Sequence, residues 1–168
     1  MSDLYLLIGG NQGDRLQLIH DAADLIRQRI GSVVAQSPIY ETAPWGTFAQ
    51  GEEPQNFYNQ ALQADTPLDA YEALRQAQAI EALLGRSRKP EKEGYASRPM
   101  DIDLIFFNNE VIDDAPMLVV PHPRMHLRRF VLEPLTDIAP DYIHPIFKKT
   151  LTQLLVECPD TSSCYCCC

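Results

Sequence analysis

Asp101-Ile-Asp103 opens the run Asp-Ile-Asp-Leu-Ile-Phe-Phe. On an extended strand, residues two apart share a face about 6.5–7 Å along the chain. Both carboxylates therefore point one way, while Leu104 to Phe107 anchor the strand in a core. Neighbouring anions at the edge of a core are costly unless a cation neutralises them. Paired oxygen donors suit Mg²⁺, which keeps waters and shares its remaining positions with phosphate oxygens. Two such ions about 3.5–4 Å apart clamp a transferring phosphoryl group. The competing reading is two acids at a solvated strand start, because a bare Asp-x-Asp is common.

Cations crowd the same region. Of 14 Lys and Arg in the chain, Arg86, Arg88, Lys89, Lys92 and Arg98 fall in one stretch just before the acids, and Arg128 and Arg129 follow later. Arginine forks grip phosphate oxygens in pairs and keep their charge at ordinary pH. The stretch 86–98 carries Pro and Gly and reads as a mobile loop that closes over a polyphosphate. Glu91 and Glu93 also permit a plain solvated loop. Gly9-Gly10-Asn11 lacks both the P-loop and the dinucleotide fingerprint, so it reads as a turn. His122 and His126 stand near prolines and read as structural rather than as bases. Trp45, Phe57, Tyr58 and Asn59 offer a flat aromatic slot with an amide for a heterocycle's edge, although aromatics of this kind are more often core.

The elements that must hold these residues follow from the apolar pattern. Leu4 to Ile8 reads as a buried strand. Leu16, Ile19, Ala23, Ile26 and Ile30 form one helical stripe, stopped at Gly31. Val33 to Tyr40 is β-rich, 43–54 reads as a loop, and Phe57 to Leu62 as a strand. Pro67 suits the first turn of a second helix, whose stripe is Ala73, Ala77, Ile80 and Leu84. Asp101 to Phe107 is a strand with a return at Glu110 to Ile112, and Leu118 to Val120 leads into Pro121. Helical patterns at Phe130–Ile138 and Leu151–Glu157 close the chain. Strands and helices interleave without strict alternation, which predicts an α+β fold with a mostly antiparallel sheet.

The chain has 168 residues, 45% of them hydrophobic, which predicts one globular domain over 1–160. A net charge of −9 argues against nucleic acid as a partner. No apolar run suits a membrane span and no targeting signal is read at the start, so the expected location is cytoplasmic. All five cysteines lie between Cys158 and Cys168. A disulfide framework would spread them, so a reducing compartment is expected, with 161–168 an unstructured Cys-rich tail.

Seven segments in order carry a family resemblance: Leu6-Leu-Ile-Gly-Gly-Asn, Tyr40-Glu-Thr-Ala-Pro, Asn56-Phe-Tyr-Asn, Gly85-Arg-Ser-Arg, Arg98-Pro-Met-Asp-Ile-Asp, Val120-Pro-His-Pro-Arg-Met and Arg128-Arg-Phe-Val-Leu-Glu-Pro-Leu. Together they resemble the 6-hydroxymethyl-7,8-dihydropterin pyrophosphokinases of folate biosynthesis. The resemblance implies a ferredoxin-like α+β fold, flanked by helices. It also implies transfer of pyrophosphate from ATP, the co-substrate, to the hydroxymethyl group of 6-hydroxymethyl-7,8-dihydropterin, with release of AMP. Asp101 and Asp103 match the family's carboxylates for two Mg ions. Arg86, Arg88, Lys89 and Arg98 match its basic loop, Arg86 and Arg98 being the catalytic candidates. Gln78, Glu81, His122 and Arg128 fall at nucleotide contacts. Thr42, Pro44, Trp45, Phe57, Asn59 and Phe130 match the pterin pocket, and Tyr95 is the loop aromatic able to close on it. Gly10 and Phe57 depart from the family's usual Ser and Tyr. A neighbouring folate-pathway enzyme is an expected partner. The rival classes are a nucleotidyltransferase, disfavoured because Gly10 and Asp101 lie far apart in the chain, and a ligand-sensing module, which gives no reason to pair acids with a basic loop.

Overall fold

The computed structural model describes residues 1–43, 55–85 and 99–166. Its elements run β1 (Ser2–Gly10), α1 (Arg15–Arg29), β2 (Ser32–Gln36), β3 (Tyr40–Thr42), β4 (Phe57–Thr66), α2 (Ala70–Leu83), β5 (Asp101–Phe107), β6 (Ile112–Asp114), β7 (Leu118–Val120), a 3-10 turn (Met125–Leu127), α3 (Arg129–Ile138), α4 (Leu151–Val156) and β8 (Cys164–Cys166). The main sheet has the order β5-β1-β4-β3-β8, with β2 also pairing with β4, and each of these pairings is antiparallel. β6 and β7 form a separate hairpin. Among the described residues, no helix is long and apolar enough to cross a membrane.

The centre of the sheet is covered on both sides, which is why β1 reads as a continuous apolar run rather than an alternating one. Leu4, Leu6 and Ile8 face α1 and α2, joining Ile19, Ile26, Ala73 and Ile80 in one core. Tyr5 and Leu7 face the other way and pack with Ala61, Val131, Leu132 and Leu135 under α3 and α4. In β5 the alternation is broken. Ile102, Leu104 and Phe107 belong to the first core, Ile105 and Phe106 to the second. The cause is a bulge: Tyr5 pairs with Phe106 and Leu6 with Leu104, so one residue of β5 is extra.

Local chemistry sets the helix starts. Asp14 caps α1 by accepting the Gln17 N–H, and Asp69 caps α2 by accepting the Glu72 N–H. Pro67 therefore lies upstream of the α2 cap, not in its first turn. Leu16, expected on the buried stripe of α1, is 49% exposed, because Ile19, Ala22, Ala23 and Ile26 fill that face. Gly31 follows the helix for a different reason than a left-handed cap: an added Cβ would meet the Asp65 carbonyl oxygen at 2.0 Å. The β-rich stretch after it is two strands, since the chain leaves the sheet at Ser37-Pro38-Ile39. The tail also differs from expectation. Cys164–Cys166 forms β8 on the outer edge of β3, where backbone donors and acceptors of the sheet find partners.

Candidate active site

The two-residue period of the strands places one row of side chains on the α3 face of the sheet. Gly9 of β1 lies opposite Asn59 of β4 on one side and Asp101 of β5 on the other. One pair further along, Leu7 lies opposite Ala61 and Asp103. Thr42 of β3 faces Phe57 of β4. Residues paired across antiparallel strands point to the same side, so Thr42, Phe57, Asn59, Asp101 and Asp103 converge. Arg128 and Phe130, at the start of α3, close the row from above. Together these seven, with Leu7, Gly9 and Ala43, line a cleft of about 460 Å³ with its open mouth included.

One end of the cleft is aromatic and amide-bearing. Phe57 is largely buried, Phe130 is partly exposed, and the Arg128 guanidinium lies 5.7 Å from the Phe130 ring centroid. Asn59 Nδ2 donates to Thr42 Oγ1 at 3.3 Å, fixing the amide's orientation. Gly9 makes room for it. A Cβ there would meet Asn59 Oδ1 at 2.2 Å and the Tyr58 carbonyl oxygen at 2.5 Å. Sequence reasoning took Gly9 for a turn residue; it is strand floor, and Leu7 and Ala43 were not singled out either. The signal available was a Gly inside an apolar run, which marks a close approach as readily as a turn.

The other end is acidic, with cationic neighbours. Among the described residues, no cluster of three or more His, Cys, Asp and Glu could hold a metal ion. Asp101 and Asp103 bring two hard oxygen donors to this end of the cleft. That donor set fits Mg²⁺ better than a metal needing an all-protein cage.

Glu81 of α2 is buried, 4% exposed, and its Oε2 accepts the Ile102 N–H at 2.9 Å, between the two aspartates. Gln78, on the same helix, is exposed, and neither residue lines the cleft. His122 stands beside the lining. Its N–H donates to the Ile105 carbonyl at 3.0 Å, and its Nδ1 accepts the Arg124 N–H at 3.2 Å. Burial above all, then Arg128, pushes its pKa down to about 4, with Asp101 opposing and Arg124 adding to the fall. The ring is therefore neutral near pH 7 with its proton on Nε2, a donor rather than a base. Pro44, Trp45, Arg86, Arg88, Lys89, Tyr95 and Arg98 lie outside the described residues.

A family model described as 7,8-dihydro-6-hydroxymethylpterin-pyrophosphokinase (HPPK) matches residues 5–140. The 2-amino-4-hydroxy-6-hydroxymethyldihydropteridine pyrophosphokinase of Porphyromonas gingivalis is 38% identical over 145 residues, 86% of this chain and 95% of the relative. That of Aquifex aeolicus is 35% identical over 167 residues, covering 99% of this chain and 98% of the relative. In fold, the chain is similar to Plasmodium falciparum HPPK-DHPS, with a TM-score of 0.72 at 17% identity. The likeness covers 94% of this chain and 43% of that longer one. By the extent of the family match and the near full-length identity to these relatives, the chain belongs to the 7,8-dihydro-6-hydroxymethylpterin-pyrophosphokinase family.

Proposed function

We propose that this chain transfers pyrophosphate from ATP to the hydroxymethyl oxygen of 6-hydroxymethyl-7,8-dihydropterin and releases AMP, with the cleft between β3, β5 and α3 as the reaction site. The observation that supports this most directly is the row Asn59, Gly9, Asp101 across β4, β1 and β5. It sets an amide-bearing, aromatic-walled slot beside a carboxylate pair in one cleft, the juxtaposition that joining a pterin alcohol to a polyphosphate requires.

Phe57 and Phe130 offer ring faces to the pterin, while Asn59 and Thr42 meet its polar edge, with Pro44, Trp45 and Tyr95 completing the pocket. Asp101 and Asp103 would hold two Mg²⁺ ions, which when bound would supply Lewis-acid charge against the polyphosphate and the attacking hydroxyl. The hydroxymethyl oxygen attacks the β-phosphorus, its proton leaves to water, and the bond from that phosphorus to the α–β bridging oxygen breaks to free AMP. Such a transfer needs positioning and charge stabilisation rather than a covalent nucleophile. Arg128 and the Nε2–H of His122 donate to phosphate oxygens. Arg86, Arg88, Lys89 and Arg98 offset charge on the moving group, Arg86 and Arg98 acting in catalysis. Gln78 reaches the nucleotide from α2. Glu81 serves the nucleotide site too, its buried carboxylate steadying β5 at Ile102.

The order β5-β1-β4-β2, with α1 and α2 on one face, supports a ferredoxin-like reading of the central unit. It fits one pyrophosphokinase domain, which β8 carries past the expected limit at 160 to residue 166. The HPPK-DHPS chain among the structural relatives makes a neighbouring folate-pathway enzyme a fitting partner. The test is incubation with ATP, Mg²⁺ and the reduced pterin alcohol, followed by nucleotide chromatography. AMP should appear mole for mole with pterin diphosphate. Free pyrophosphate with nucleotidylated pterin, or ligand binding without turnover, would overturn the assignment.

A further inference from the structure

Residues 164–166 flank the strand that carries Thr42. β8 pairs along the whole of β3, setting Cys164 opposite Thr42 and Cys166 opposite Tyr40. Thr42 lines the cleft, so β8 backs the strand that presents it. Tyr40 of β3 also donates its hydroxyl to Asp137 of α3, tying this strand to the helix above. Cys164 is half-buried there, and burial, then Glu133, pushes its thiol up to about 12. It is a packing residue rather than a nucleophile.

Just before β8, Asp160 Oδ2 accepts the backbone N–H of Arg129 at 3.0 Å, the first residue of α3. Its Oδ1 accepts the Ser162 N–H at 2.9 Å. Arg128, at the α3 N-cap, makes no side-chain capping bond of its own. Asp160 therefore caps this helix from a distant part of the chain, placing a carboxylate at the positive end of the helix dipole. Partial burial pushes its pKa up, but hydrogen bonds from Ser162 and from Arg129 outweigh that and hold it below the ordinary carboxylate range. Phe130, the next residue, lines the cleft.

We propose that residues 159–166 act as a brace that positions the pterin half of the cleft, β8 holding Thr42 through β3 and Asp160 holding Phe130 through the first turn of α3. This rests on the reading of Thr42 and Phe130 as pterin contacts. The carboxylates of the phosphate half are anchored independently. Asp101 and Asp103 lie on β5, at the opposite end of the sheet, with β1 and β4 between. Arg128 adjoins the bond that Asp160 makes but has a second hold, its own N–H bonded to the carbonyl of the fully buried Met125 at 3.3 Å. Loosening the brace thus weakens pterin binding more than nucleotide binding.

The experiment compares steady-state kinetics of Asp160→Ala, Asp160→Asn and a chain ending at Cys158. Asp160→Ala should raise KM for the pterin up to about tenfold, the ceiling if a whole cap's energy is felt in binding, the shortened chain at least as much, and KM for ATP should rise less in both. Asp160→Asn keeps an acceptor oxygen for Arg129 and should recover most of the loss. An unchanged pterin KM, or pterin and ATP KM rising together, would overturn the brace. Phe130→Ala is the control. If it raises the pterin KM while the shortened chain does not, only the brace falls; if it has no effect, the pterin-site reading falls and takes the brace with it.

Discussion

Asp101 and Asp103 owe their common direction to the two-residue period of β5, and their nearness to Asn59 to the pairing of both flanking strands with Gly9. Replacing either aspartate by Ala removes a charge from the cleft edge without opening the core, since Ile102 and Leu104 carry the packing of that segment. Each variant should keep its Tm within a few degrees and lose on the order of 10²–10³-fold or more in kcat, read by AMP release. Gly9→Ala acts oppositely. With Asn59 Oδ1 at 2.2 Å and the Tyr58 carbonyl at 2.5 Å from the added carbon, β4 must shift. A loss of about 1–3 kcal/mol in stability is expected, together with weaker pterin binding, measured by denaturation and ligand fluorescence. The aspartates were legible because strand period alone fixes their shared face. Gly9 was not, because its constraint comes from Asn59 on a strand that the sequence cannot pair with it.

At the scale of elements, the segment between α3 and α4 turns on one imidazole. His144 is buried, 2% exposed, and its Nδ1 accepts the N–H groups of Ile146 and Phe147, each at 3.1 Å. The ring stacks on Phe147 at 4.4 Å and meets Phe106 edge-on at 5.7 Å. Burial, then His126, pushes its pKa down to about 4. Between about pH 6.5 and 4 the unfolded chain binds a proton that the folded chain refuses, so this stability is complete above the upper limit and is lost on acidification. The effect should be on the order of 3 kcal/mol, seen as a fall in Tm over that window. His144→Asn keeps an acceptor and does not titrate, and should flatten part of the slope. An identical slope in both proteins would contradict the assignment. Elements with a bounded apolar run were readable, as in β5, expected and found over Asp101–Phe107. Pro67 and Leu16 were misplaced because a cap and a competing alanine face outrank local propensity, whereas Gly31 stands where α1 was expected to stop, held to glycine by the Asp65 carbonyl. β8 was unreadable, since a short polar Cys-rich segment becomes a strand only when β3 offers it an edge.

For the whole molecule, the sheet separates two tasks. The face under α1 and α2 is filled with aliphatic side chains, and the face under α3 gives up part of its packing to the cleft. An α+β fold with an antiparallel sheet was legible from the interleaving of patterns, whereas the strand order that brings residues 9, 59 and 101 together was not. The central claim is that Asp101 and Asp103 hold divalent cations against the nucleotide's polyphosphate. The direct measurement is Mn²⁺ binding, by electron paramagnetic resonance, to the protein saturated with a non-hydrolysable ATP analogue and the pterin. The account predicts two bound ions in the native chain and their loss in the Asp101→Asn, Asp103→Asn double variant. Equal occupancy in the two proteins, with the fold of the variant intact, would contradict it.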